Sequence, residues 1–249
     1  MDIKTKINME RIIKGYVLRI VPYKESNLIV TLLTEAGLET FMARGVLKPT
    51  NKNASSCQLY TYGEYQLSYK TDGSNHTLMS GIALKTLTKL YENLKYSALL
   101  GLISECILKN DDFEEPYVVF DTVFKHLYED KCNFATIIAI VLKLNALYTG
   151  CNLEADGCVR CGTNKSIFSV CFDEGGLICS NCARELHIYE KSAAYIKNFR
   201  YIVKANIEHI DKFELDPIVS KSLIIDLFNF LEKNAGVYFK SKTMLLYLI

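Results

Sequence analysis

The sequence contains no tryptophan, and only four prolines and four histidines stand among its 249 residues. Neither sign of charge is in excess: 29 Lys and Arg face 28 Asp and Glu, for a formal net charge of +1. A balance this close excludes a nucleic-acid binder that works by bulk charge, and equally an acidic solvating chain. Long hydrophobic runs are absent as well. The longest, Phe134–Leu142, meets Lys143 directly, well short of the roughly 20 residues that span a bilayer. Met1–Arg11 is charged and leads into no apolar stretch of the signal-peptide kind. The expectation is a cytoplasmic protein with no membrane partner.

Motifs that announce catalysis are also missing. There is no Walker loop, no G-x-G-x-x-G after a strand and no G-x-S-x-G. His76, His126, His187 and His209 are scattered, with no H-E-x-x-H and no deaminase-type H-x-E. Asp111-Asp112 and Glu114-Glu115 precede Pro116 and read as a solvated lead into a helix. The expectation is a binding protein, not an enzyme.

What is present in quantity is apolar sequence, at 49% of residues, enough for a sizeable core. Up to residue 83 it is patterned as strands: Ile12–Val21, Leu28–Thr34, Leu38–Ala43, Gln58–Lys70 and His76–Ala83, with Asp72-Gly73 as a hairpin turn. Gln58–Lys70 alternates most cleanly. It sets Leu59, Tyr65, Leu67 and Tyr69 on one face and Tyr60, Tyr62, Glu64 and Gln66 on the other. Five short strands in about 80 residues suit a small closed β-barrel. From Leu84 the spacing turns helical, through Leu87, Leu90, Tyr91 and Leu94. Further helices are predicted from Pro116, over Phe134–Tyr148 with a stop at Gly150, over Ser192–Ile210, and over Pro217–Lys233 with Asp216 as N-cap. The division expected is a barrel over 1–83 and a helical domain over 84–249, making an α+β fold.

The helical part is interrupted at 156–184 by Cys158, Cys161, Cys179 and Cys182, spaced C-x2-C-x17-C-x2-C. Each C-x2-C pair can turn two sulfurs to one point, so two pairs make a four-thiolate Zn²⁺ site. Gly157 and Gly162 flank the first pair, and Gly175-Gly176 turns the chain back toward the second. A redox C-x2-C occurs once, in a βαβ setting; here the motif occurs twice with no such unit. Four protein ligands leave no open position, so the zinc is expected to be structural. The remaining cysteines, Cys57, Cys106, Cys132, Cys151 and Cys171, read as core or surface residues.

Charge is distributed unevenly. Residues 1–80 hold ten Lys and Arg against seven Asp and Glu, and the remainder 19 against 21. The polar loop from Ala43 to Ser56 carries Arg44, Lys48 and Lys52, four residues apart, where they could meet successive phosphates. Arg19, Lys24 and Lys70 are further candidates, and Tyr60 and Tyr62 offer rings for base stacking. The bland alternative is a solvated loop and tyrosines that simply cover the barrel.

The order of these features resembles the RecO family of bacterial recombination mediators. The matching residues are Gly15-Tyr16-Val17-Leu18, Tyr23 through Thr34, Gly37, Ala43-Arg44-Gly45, then Cys158-Val159-Arg160-Cys161-Gly162, Phe168, Gly175 through Cys179, and Cys182. The resemblance runs from Ile12 to the C-terminus. It implies that the barrel is an OB-fold and that the helical domain carries the zinc ribbon. It also implies binding of single- and double-stranded DNA and annealing of complementary strands. With RecR, such proteins help RecA onto DNA covered by single-strand-binding protein, whose acidic C-terminal tail they contact in an apolar groove. Arg160, with Lys165, Arg184, Lys191, Lys197 and Arg200, would extend the DNA footprint. The rival readings are an RNA-binding protein, a protein-interaction scaffold and, least favoured, a zinc hydrolase.

Overall fold

The computed structural model describes residues 8–70, 76–90 and 92–249. The chain forms two compact units, the first ending at Glu92 and the second covering Asn93–Ile249.

The first unit is built on β1 (Asn8–Tyr23), β2 (Asn27–Thr34), β3 (Gly37–Ala43), β4 (Tyr62–Lys70) and β5 (His76–Lys85). They close into a barrel in the order β1-β2-β3-β5-β4. All pairs are antiparallel except β3 with β5, where Phe41 meets His76. Closure leaves no free sheet edge. The core is filled from every strand, by Val17, Val30, Leu32, Phe41, Tyr65, Leu67 and Leu78. At Gly15 a Cβ would stand 2.5 Å from the carbonyl oxygen of Leu33, so β1 and β2 approach there only because the side chain is absent.

β4 alternates as expected: Gly63, Tyr65 and Leu67 are buried, whereas Tyr62, Glu64, Gln66 and Ser68 are half-exposed. The strand starts later than its sequence pattern, however. Tyr60 does not share a strand face with Tyr62, because the chain turns there. Tyr60 adopts φ 60°, its N–H donates to Val17 O at 2.8 Å, and Val17 N–H returns to Thr61 O at 3.0 Å. Leu59 also lies in this turn and still packs on the barrel core. The Asp72-Gly73 turn lies outside the described residues.

Two helical expectations are corrected. The chain from Leu84 is not helical: β5 continues to Lys85, a single 3-10 turn covers Thr88–Leu90, and α1 (Leu94–Lys109) begins ten residues later than the periodicity suggested. Asn93 fixes that start, its side chain accepting the Lys95 N–H; an N-cap overrides leucine spacing. Likewise the segment from Ser192 is helical only over α5 (Ala193–Lys204), followed by a separate turn at Ile207–His209. The Asn206 side chain and His209 exchange capping bonds there.

Around these lie α2 (Pro116–Tyr128), α3 (Phe134–Tyr148), α6 (Pro217–Asn234) and the short α7 (Lys242–Leu248). α3 is the axis of the unit and packs against α1, α5 and α6. Ile137 to Leu142 are all fully buried, which is why this run is apolar on every side. Lys143, next on the helix, donates to Ala205 O at 2.7 Å, where α5 ends; burial lowers its pKa. Asp216 caps α6 as expected, accepting from Ile218 N–H at 2.8 Å. Among the described residues no helix is long and apolar enough to cross a membrane.

Candidate metal centre and nucleic-acid interface

Between α3 and α5 the chain forms a hairpin, β6 (Ile167–Cys171) with β7 (Gly176–Cys179), and one short helix, α4 (Ser180–Glu185). The first knuckle precedes β6. Cys158 N–H donates to Thr163 O at 2.7 Å, and Gly162 N–H to Cys158 O at 2.8 Å. Gly162 has φ 74°, a conformation that a side chain resists. The second knuckle is the junction of β7 with α4, so Cys179 ends a strand and Cys182 lies in the first turn of the helix. Val159 N–H to Leu177 O at 2.9 Å ties the knuckles together. The four sulfurs lie within 4.8 Å of one another, with Cys161 Sγ 3.7 Å from Cys179 Sγ. None is in a disulfide.

Ile178, Ala183, Ile167, Phe168, Leu186 and Ile188 pack around this cluster. Cys158 and Cys179 are buried, while Cys161 is exposed. Burial alone would raise the Cys158 pKa, but the backbone N–H groups of Cys179, Cys161 and Arg160 outweigh it and hold the thiol at about 6. Cys182 is pushed up to about 12 by burial and then by its neighbouring thiols. Four crowded thiols thus cannot all ionise; a cation among them removes that conflict. The donor set is sulfur only and fills a tetrahedron, so these residues could hold one metal ion in a closed site. His187 lies outside the cluster, exposed, on the turn after α4.

The second candidate site is at one end of the barrel. The segment from Arg44 to Thr61 is a succession of turns rather than a loose loop. Val46, Ser56 and Cys57 are buried in it. Tyr65 donates its hydroxyl to Ser56 O at 2.7 Å, and burial holds that phenol protonated well beyond its ordinary range. Gly45 N–H donates to Asn27 Oδ1 at 2.8 Å, and Leu47 N–H to Ser26 O at 3.1 Å. These bonds place Arg44 and Lys48 beside the β1–β2 turn, where Lys24 stands. Asn51 Nδ2 to Arg44 O at 3.3 Å brings in the neighbouring Lys52. Asn27 falls within the Tyr23–Thr34 stretch that carries the family resemblance, but the sequence assigns it no role, since a lone Asn beside a turn carries no distinguishing pattern.

The other expected contacts are placed differently. Arg19 is exposed on β1 opposite Thr31. Lys70 pairs with Asn8, at the far end of β1 from Tyr23; its side chain lies outside the described residues. Tyr62 packs against Tyr16, ring centroids 4.8 Å apart. Arg160 belongs to the helical unit, where it lies on the first knuckle and pairs with Glu185 at 3.4 Å.

A closed five-stranded barrel followed by a helical unit with a four-thiolate cluster defines an OB-fold protein carrying a metal-ribbon insertion. The family described as recombination protein O matches on both parts, its N-terminal region over residues 9–86 and its C-terminal region over 90–243. The chain is 27% identical over 237 residues to a Bacillus pumilus protein named DNA repair protein RecO, covering 92% of this chain and 91% of that one. A Bacillus subtilis protein of the same name is 28% identical over 240 residues, covering 93% and 92%. For the one from Halalkalibacterium halodurans the figures are 24% over 238 residues, 93% and 92%. The chain belongs to the RecO family of DNA repair proteins.

Proposed function

We propose that this chain is a non-catalytic DNA-binding mediator. It holds single- and double-stranded DNA at the Arg44–Lys52 end of the barrel and anneals complementary strands. With RecR, it assists RecA onto strands covered by single-strand-binding protein. The observation that carries this reading is a set of barrel cations that no carboxylate partners. Among the described residues, Arg19, Lys24, Arg44, Lys48 and Lys52 make no ion pair. In the helical unit several cations are engaged, Lys191 with Asp226 at 3.0 Å, Lys242 with Glu232 at 2.9 Å, Lys125 with Asp121 at 2.6 Å and Lys233 with Asp173 at 2.5 Å, whereas Lys165, Arg184, Lys197 and Arg200 make no ion pair among the described residues. Exposed pairs add little stability, but they cancel field, whereas unpaired cations leave it for a polyanion. Arg160 and Lys191 therefore have the weaker claim to the footprint.

The metal is Zn²⁺ in a structural role. Thiolates about 2.3 Å from a tetrahedral centre stand about 3.8 Å apart, against 3.7 Å between Cys161 and Cys179. Bound there, the ion supplies cross-linking of two knuckles and no open coordination position. Between α5 and the start of α6, a cavity of about 670 Å³ lined by Lys197, Tyr201, Glu214, Leu215, Pro217 and Ile218 is the groove we assign to the acidic tail of single-strand-binding protein. The barrel and the helical unit are assigned as the DNA-binding and partner-binding domains, in a cytoplasmic, nucleoid-associated protein. The test is annealing of complementary oligonucleotides coated with single-strand-binding protein, without ATP. Acceleration that falls with salt, and disappears in Arg44→Glu/Lys48→Glu/Lys52→Glu, is the expected result. Acceleration unchanged in that variant would overturn the placement of DNA on the barrel.

A further inference from the structure

Beneath the Leu47–Pro49 turn the end of the barrel is not filled. A cavity of about 360 Å³ opens there, walled by Ile20, Leu28, Val46 and Ala54, with Cys57 at its floor. Its volume falls within the usual span of small-ligand pockets, about 300–1,000 Å³. Lys48 and Gln58 also line it, and both are exposed. Burial pushes the Cys57 thiol up to about 11, so the floor stays uncharged at neutral pH.

The walls are aliphatic and the mouth is cationic. Lys48 belongs at once to this pocket and to the group of unpaired cations with Lys24, Arg44 and Lys52. An occupant matching both features carries negative charge along its length and an uncharged apolar ring on a short tether. Single-stranded nucleic acid has that form, whereas the bases of a duplex are paired and stacked out of reach. We infer that this cavity receives one unpaired nucleobase of a single strand whose phosphates lie on Arg44, Lys48 and Lys52, a reading that rests on the phosphate-holding role proposed above. The Gln58 amide offers a donor and an acceptor to the base edge. Among the described residues no aromatic ring lines the pocket, so it does not use the base–aromatic stacking of other single-strand sites. Its aliphatic walls suit the thymine methyl group. The device would let the protein separate single strands from duplex at equal charge.

The experiment compares three ligands on the full-length protein: oligothymidylate, an abasic strand of equal length and charge, and the corresponding duplex, each followed by fluorescence anisotropy. Burial of one base against aliphatic walls should make oligothymidylate bind about tenfold tighter than the abasic strand, with the same dependence on salt. Ala54→Phe, which fills the cavity, should remove that advantage. Equal binding of the base-bearing and abasic strands by the wild-type protein overturns the inference, and this comparison needs no variant. It is overturned too if Ala54→Phe, with an unchanged circular-dichroism melt, keeps the full ratio. Competition by an acidic peptide bearing one leucine, with none by oligothymidylate, would give the pocket to a protein partner and also sink it. Failure of the underlying phosphate reading looks different: the Arg44, Lys48 and Lys52 reversals would then leave all three affinities unchanged.

Discussion

Asn27 Oδ1 accepts the backbone N–H of Gly45 at 2.8 Å, and this bond holds the cationic turns against the first hairpin of the barrel. Asn27→Ala leaves that N–H without its side-chain acceptor, which should cost about 1 kcal/mol. It removes no charge. Affinity for DNA should fall a few-fold while the slope of log affinity against log salt is retained, because the phosphate contacts remain available but less well held. A thermal melt and a salt titration of the same variant check both halves.

Removing charge should do the opposite. Each phosphate contact on a single strand contributes about 0.7 to the salt slope. Replacing Arg44, Lys48 and Lys52 by Gln should therefore lower the slope by about 2 if each engages one phosphate. Their side chains are exposed, so the melting temperature should barely move. An unchanged slope would place the DNA elsewhere.

The four-cysteine cluster was legible because residue identity and spacing carry the same information: Cys158, Cys161, Cys179 and Cys182 cannot reach one point unless the hairpin at Gly175-Gly176 forms. The barrel was legible where one face is buried and the other wet, as on β4. It was not legible over Arg44–Thr61, because Val46, Ser56, Cys57 and Thr61 are buried at irregular intervals in a polar stretch. The stretch is held by bonds to Ser26, Asn27 and Tyr65, which follow no local period. The leucines at 84, 87, 90 and 94 mimic a helix because a strand end, a 3-10 turn and a cap happen to space them alike. Which cations are paired could not be read either. The partners of Arg160, Lys191 and Lys233 lie 25, 35 and 60 residues away.

The helical unit should lose stability at alkaline pH through Tyr96. Its hydroxyl donates to Asp130 at 2.6 Å; that bond, and burial after it, push the phenol up to about 12. An unfolded tyrosine ionises near pH 10. Between those values the unfolded chain has released the proton and the folded chain still holds it, so stability falls as pH rises through this window and is fully present below it. Urea unfolding followed across the window should decline more steeply for the wild type than for Tyr96→Phe. Parallel curves would remove Tyr96 from the account.

Removal of the metal should be local in effect and large in size. Structural zinc sites of this kind bind with about 10–16 kcal/mol of apparent free energy, comparable with the roughly 5–15 kcal/mol that holds a whole domain folded. Besides the ion, the segment from Cys151 to Lys191 has two short strands, one turn and a half of helix, a small apolar cluster of which the ligands themselves are members, and the Phe172 ring packed on Phe199 and Phe230. The barrel has its own core and contains none of the four ligands. Purified protein should therefore carry one metal per chain. After chelation, the backbone amides of Val159, Gly162 and Leu177 should exchange rapidly with deuterium, while those of Val30 and Leu32 keep their protection. Cys179→Ser should reproduce that pattern without a chelator. Retained protection at Val159 and Leu177 in the metal-free protein would mean that the hairpin folds on its hydrogen bonds alone, and the ion would then be a passenger.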